Sequence, residues 1–342
     1  MKSTAGSGSA VFEFVSGRTG SPVSVSPVVD GGLVDAAALD DVDGDGLDDL
    51  AVLDAAYAGT SGMLSARSGR SGREIWSAEV EIPAYAWTLI QSADLGGDGR
   101  GDVLVRSHPE VIDEWDWYFG PQHVHAASGA DGSALWSADV PAFTDIVPTG
   151  DAGGDGGSDL LMFPRDDSWA PPGTRTAHLY PDFLMTSGAD GSMLWGRSPK
   201  RIKGPGAAGD LNGDGVLDVL TTIKRTDAAV TRAFSGATGG RLWQFVRPAS
   251  TRQDGLGGDL DGDGSDDVFD RKGSRYRIRR GGSSAAMWGW RSTSGWLIGV
   301  AVAERVGGGP GMLLESSEMA RTLTLVGRSA TGGALWTRSL DY

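Results

Sequence analysis

The chain has 342 residues, a formal net charge of −15, 54 glycines and no cysteine. That charge argues against nucleic acid as a partner, because phosphate binding needs a basic face. The missing cysteines exclude a disulfide framework, and no apolar run approaches the roughly 18 residues of a membrane span.

Residues 1–10 are small and polar and read as a flexible tail without the apolar core of a signal peptide. Val11 to Val15 reads as a strand, Ser16 to Gly20 as a hairpin turn, and Val23-Ser24-Val25 as the partner strand. This reads as half of a four-stranded unit, and no later stretch of this sequence is expected to complete it.

Asp41-Val42-Asp43-Gly44-Asp45-Gly46-Leu47-Asp48-Asp49 follows, with carboxylates at positions 1, 3, 5 and 9 of a nine-residue loop. Hard oxygens at alternating positions suit calcium, which takes six to eight oxygen ligands at loose geometry. The carbonyl of Leu47 is the expected backbone ligand. An EF-hand needs a Glu at position 12 and flanking helices; here Val52 stands there, inside an apolar run that reads as a strand.

The loop returns at intervals of about 45 to 60 residues. Asp94, Asp98 and Asp102 keep positions 1, 5 and 9, as do Asp151, Asp155 and Asp159, with Arg100 and Gly157 as the backbone ligands. Asp210, Asn212, Asp214 and Asp218 form a complete set around Val216, and Asp259, Asp261, Asp263 and Asp267 another around Ser265. A sixth copy, Glu304 to Met312, keeps the glycines and loses the ligands. The loops at Asp41, Asp210 and Asp259 are expected to hold calcium best, those at Asp94 and Asp151 less well, and the sixth not at all. The competing reading is a set of empty acidic turns.

A second motif alternates with the first. Ser128-Gly129-Ala130-Asp131-Gly132-Ser133-Ala134-Leu135-Trp136 recurs at Ser187 to Trp195 and Ser235 to Trp243, with looser copies ending at Trp76, Trp288 and Trp336. A Gly-rich turn between apolar runs is a hairpin signal. Each unit then reads strand, acidic loop, strand, connection, strand, Ser-Gly turn, strand. Four antiparallel strands in about 50 residues, repeated radially, make a β-propeller blade. The fold class is therefore all-β, a single propeller over residues 11–342 with six complete blades and an N-terminal half blade. Seven ring positions are favoured, and six plus an extra hairpin is the alternative. The Trp that opens each fourth strand is expected to pack between blades. The half blade leaves strand edges that invite pairing with the last blade or with another molecule.

The acidic loops resemble the FG-GAP/VCBS repeats of integrin-α-type propellers, and the Ser-Gly-to-Trp turns resemble those of PQQ-like propeller repeats. Together the two motifs cover about residues 11–338. The resemblance implies a propeller with calcium between the first two strands of a blade. Such propellers serve adhesion and glycan binding, and occasionally polysaccharide lysis. It implies no quinone.

Calcium loops and Ser-Gly turns fall at one end of a blade, leaving the second-to-third connections for binding, where variable loops sit on a rigid scaffold. The longest run from Ser107 to about His123 and from Pro164 to about Thr176, next to a link carrying Tyr85 and Trp87. Trp115, Trp117, Tyr118 and Trp169 beside acids are the candidate ligand-binding residues, able to stack on sugar rings or anchor a protein partner; a local mini-core is the structural alternative. His123 and His125 alternate and read as one face of a strand. The expected function is a calcium-stabilised extracellular binding or adhesion module for a glycan or protein. Alternatives are a polysaccharide lyase or hydrolase and a structural surface or filament subunit.

Overall fold

The computed structural model describes residues 9–10, 13–15, 21–25, 29–30, 33–55, 61–81, 86–112, 117–119, 121–141, 144–164, 181–199, 203–207, 209–250, 252–272, 275–291, 296–303, 312–319, 322–328 and 334–341. Among them all regular structure is strand, arranged in antiparallel sheets. They fall into two compact units, Met1–Gly196 and Arg197–Tyr342.

The first unit opens with a hairpin. Glu13–Val15 pairs with Pro22–Val25, and Ser9–Ala10 pairs with Val29–Asp30. A four-stranded sheet follows, formed in sequence order by Leu33–Leu39, Asp49–Ala55, Ser61–Arg67 and Glu74–Glu81. The next joins Ala86–Ala93, Asp102–Ile112, Gln122–Ala127 and Ala134–Val140, with Trp117–Phe119 as a fifth strand. Asp145–Pro148, Leu160–Phe163, Phe183–Thr186 and Met193–Arg197 make the third sheet. The second unit repeats the plan from Lys203–Ala207 to Arg241–Pro248, from Arg252–Gly258 to Ala286–Arg291, and from Trp296–Ala303 to Ala334–Asp341. These sheets coincide with the six complete units read from the sequence.

Period-two alternation explains the packing. Val103 and Val105 face the first sheet, where they join Leu39, Leu53 and Leu64 in one apolar cluster. Leu104, the residue between them, faces the other way and meets Ile146, Leu160 and Met162 of the third sheet. One strand thus feeds two intersheet cores, and its residues 102–105 are buried on both faces. A fully buried Leu or Val contributes about 1.5–3 kcal/mol. Fourth strands such as Glu74–Glu81 are far more exposed and stand at one edge of their own sheet.

Trp76, Trp136 and Trp243 lie between sheets, as expected. Trp76 Nε1 donates to the Gly129 carbonyl of the next Ser-Gly turn at 2.7 Å, and Trp136 Nε1 donates to Gly188 at 2.6 Å. Trp243 Nε1 bonds Gly281 in the same way. The ring of Trp76 lies flat enough on Gly132 that a Cβ there would overlap it, and Gly132 has φ of +76°. Each of these three Trp side chains therefore ties its own fourth strand to the following turn.

The connection from 107 to 123 departs from expectation. Strand Asp102–Ile112 runs well into it, and Trp117–Phe119 folds back in register, Trp117 opposite Ile112 and Tyr118 opposite Val111. The segment is a hairpin extension and not an irregular loop, because its β-branched and aromatic residues favour strand. Trp87 belongs to the first strand of this sheet, opposite His108, and not to a link.

Candidate metal centre

All five acidic loops fold alike. The glycines at positions 4 and 6 have positive φ, as at Gly44 (78°) and Gly46 (85°), where a Cβ would be strained. That curvature turns successive amides toward the first carboxylate. Asp41 Oδ1 accepts from Gly44 N at 2.8 Å and Asp45 N at 2.9 Å, and its Oδ2 accepts from Gly46 N at 2.7 Å. Asp259 repeats this with Gly262, Asp263 and Gly264 at 2.7, 3.1 and 2.9 Å. Asp94, Asp151 and Asp210 do the same.

The fifth carboxylate caps the seventh amide. Asp45, Asp98, Asp155, Asp214 and Asp263 accept from the N–H of Leu47, Arg100, Gly157, Val216 and Ser265 at 2.9–3.0 Å. Those bonds use the N–H; the carbonyl is the group assigned to a cation. At position 3, Asp43 Oδ1 accepts from Asp45 N, and Asn212 Oδ1 accepts from Asp214 N. Gly96 and Gly153 supply nothing there.

The ninth residue clasps the acidic loop to the Ser-Gly turn. Asp218 Oδ2 accepts from Leu211 N at 2.8 Å, inside its own loop, while Oδ1 accepts from Gly236 N at 2.8 Å, in the Ser-Gly turn. Asp49, Asp102 and Asp159 make the same clasp to Gly69, Gly129 and Gly188. Loop and turn therefore share one end of the sheet, as read from the sequence. Successive loops also touch: Ser158 N donates to the Asp94 carbonyl at 2.5 Å, and Asp266 N to that of Asp210 at 2.6 Å.

Carboxylate oxygens converge within 4.8 Å of one another in two loops, from Asp41, Asp43 and Asp49 and from Asp259, Asp261 and Asp267. Asp261 Oδ2 lies 2.8 Å from Arg280 Nε, while its Oδ1 is buried without a hydrogen-bond partner among the described residues. Such an oxygen fits a cation. The sequence reading missed two arginines: Arg280, and Arg70, whose Nε is 3.0 Å from Asp45 Oδ2. The signal was present as a basic residue beside the turn glycine in the two sheets whose loops carry four acidic ligands.

Burial pushes the ninth carboxylates upward, against the backbone N–H bonds that pull them down. Asp218 and Asp267 reach about 7, and Asp49, Asp102 and Asp159 are also raised. The sign of the pH dependence follows. Between about pH 4 and pH 7 the folded chain keeps protons that the unfolded chain has released, so stability falls as pH rises through this window. In chelator, the protein is expected to melt several degrees higher at about pH 5 than at about pH 8, since about 1 kcal/mol shifts the midpoint by roughly 2–4 °C at this size. A higher midpoint at the alkaline end would contradict the burial cost assigned to Asp218 and Asp267.

Of the candidate ligand-binding residues, Trp117 and Tyr118 are placed on the hairpin extension. Trp115 and Trp169 lie outside the described residues, as does the sixth loop at Glu304. His123 Nδ1 lies 2.8 Å from Asp139 Oδ1.

No family model and no curated protein sequence matches this chain. Among solved structures it is similar to the rhamnogalacturonan lyase YesW at 17% identity and a TM-score of 0.47, covering 82% of this chain and 59% of the lyase. BamB from Moraxella catarrhalis is 12% identical with a TM-score of 0.44, covering 97% of this chain and 83% of BamB. The Dos1 propeller is 11% identical with a TM-score of 0.45, covering 93% of this chain and 70% of that one.

Proposed function

We propose that the chain is a calcium-stabilised β-propeller of the FG-GAP/VCBS type, with six complete blades and an N-terminal half blade. It acts outside the cell, where calcium is abundant, as a binding or adhesion module for a glycan or a protein. The observation that carries the metal reading is the recurrence of one clasp, in which a buried ninth carboxylate joins loop to turn. The unpartnered Asp261 Oδ1 adds to it. Asp41, Asp43, Asp45 and Asp49, with their counterparts, would hold the ion, which would supply the charge that offsets burial of the ninth carboxylate. Calcium suits these oxygens better than magnesium, which demands near-octahedral geometry at shorter distances.

The binding reading rests on position. Strand Asp102–Ile112 starts at its acidic loop and ends away from it, carrying Trp117–Phe119. That end is free of the metal loops and the tight turns. A glycan array probed with the calcium-loaded protein tests it: Trp117→Ala is expected to lose at least tenfold in signal while its melt in calcium stays near the parent's. Unchanged binding, or a variant that unfolds, would make the extension a local core. The His123–Asp139 pair favours the lyase alternative, and new unsaturated-sugar absorbance on uronate glycans would support it.

A further inference from the structure

The second unit holds a cleft whose charge is opposite to that of the chain as a whole. It lies between strand Arg241–Pro248 and the sheet formed by Arg252–Gly258, Asp267–Lys272, Arg275–Arg279 and Ala286–Arg291, and has a volume of about 660 Å³. That is the size of a small-molecule site. Register places Lys272 opposite Arg275, and Arg275 opposite Arg291, in a row across three strands. Arg277, two residues along from Arg275, stands on the same face opposite Gly289. Neighbouring cations in this array are spaced about 5 Å across strands and about 7 Å along them.

Like charges directly opposite one another destabilise a sheet. All four of these side chains are exposed, and no ion pair to any of them occurs among the described residues. Asp270 is the one acid among the described residues lining the cleft, and its Oδ2 already lies 2.7 Å from Arg279 Nε. The adjoining segments 273–274 and 292–295 contain no acidic residue. Arg279 in turn lies over the Phe245 ring, 4.3 Å from its centroid, which fixes this face against the preceding sheet.

The opposite wall is apolar at its lip, where Val246 is 69% exposed and Pro248 is also exposed. Tyr276 is only 4% exposed, so its ring is closed to stacking. Single-stranded nucleic acid binds through open aromatic platforms, and no described residue lining this cleft offers one. Guanidinium forks match planar oxyanions bidentately, and an apolar lip accepts the C–H face of a sugar ring.

We infer that this cleft binds an anionic oligosaccharide of two or three units, its carboxylate or sulfate groups held by Lys272, Arg275, Arg277 and Arg291. The site shares no residue with the extension at Trp117, so the two readings fail separately.

The full chain, saturated with calcium, is titrated calorimetrically with trigalacturonate and, in parallel, with a heparin-derived disaccharide, oligo-dT and inorganic phosphate. One of the two sugars is expected to bind, which decides between carboxylate and sulfate, and its affinity should fall with added salt. Arg275→Gln combined with Arg291→Gln should weaken it at least tenfold. Both positions are exposed, so the variant's melt should match or exceed the parent's. Arg73→Gln, an exposed first-unit position outside the acidic loops, should bind as the parent does. The inference is overturned if neither sugar binds, if the double variant binds as well as the parent, if oligo-dT binds more tightly than both sugars, or if phosphate alone competes equally.

Discussion

Chelation is expected to lower the melting temperature of this protein by about 10 °C or more, and added calcium should restore it. A ligand that binds only the folded chain stabilises by about 2.7 kcal/mol per site at a hundredfold excess over its dissociation constant. The second unit, Arg197–Tyr342, contains the loops at Asp210 and Asp259. Two filled sites there contribute about 5 kcal/mol, and each kcal/mol moves the midpoint by roughly 2–4 °C. The unfolded chain holds no such site, because convergence of the carboxylates depends on the glycine turns and on the clasp to the Ser-Gly turn. Magnesium should restore less of the loss. A melting curve indifferent to chelator would falsify the metal reading and leave the loops as acidic turns held by their own amides.

The strand plan was legible because it rests on repeats. Carboxylates at 1, 3, 5 and 9 and the Ser-Gly-to-Trp spacing each imply local geometry, and six sheets appear where six units were read. Interactions between distant residues were not legible. No spacing rule says that Asp218 reaches Gly236, or that Trp76 bonds Gly129, because these contacts join segments whose proximity only the sheet defines. The extension at Trp117 was read as a loop because Pro109 and the acidic run 113–116 look like loop composition, although Val111, Ile112, Trp117 and Tyr118 pair as strand. The basic cleft was invisible for a related reason. Lys272, Arg275 and Arg291 look scattered along the chain, and only the register brings them into a row.

Gly236→Ala should be among the most damaging single-methyl additions in the molecule. Gly236 does not need its freedom of φ; it needs the absence of a side chain. A Cβ there would overlap the Leu217 carbonyl and press on the Val216 side chain. The turn then has to move away from the acidic loop. Movement stretches the Gly236 N–H bond to Asp218 Oδ1, and Asp218 is fully buried. Losing a hydrogen bond to a buried charged group costs about 1.5–3 kcal/mol, and relieving the overlap adds roughly 1–3 kcal/mol. The expected loss is about 3–5 kcal/mol, or roughly 10 °C in melting temperature. Gly206→Ala is the matched control in the same unit, since a Cβ there meets nothing within 4 Å. It should melt within about 2 °C of the parent. If the two variants melt together, the loop and the turn are not clasped through Asp218, and the burial that raises its carboxyl needs another cause.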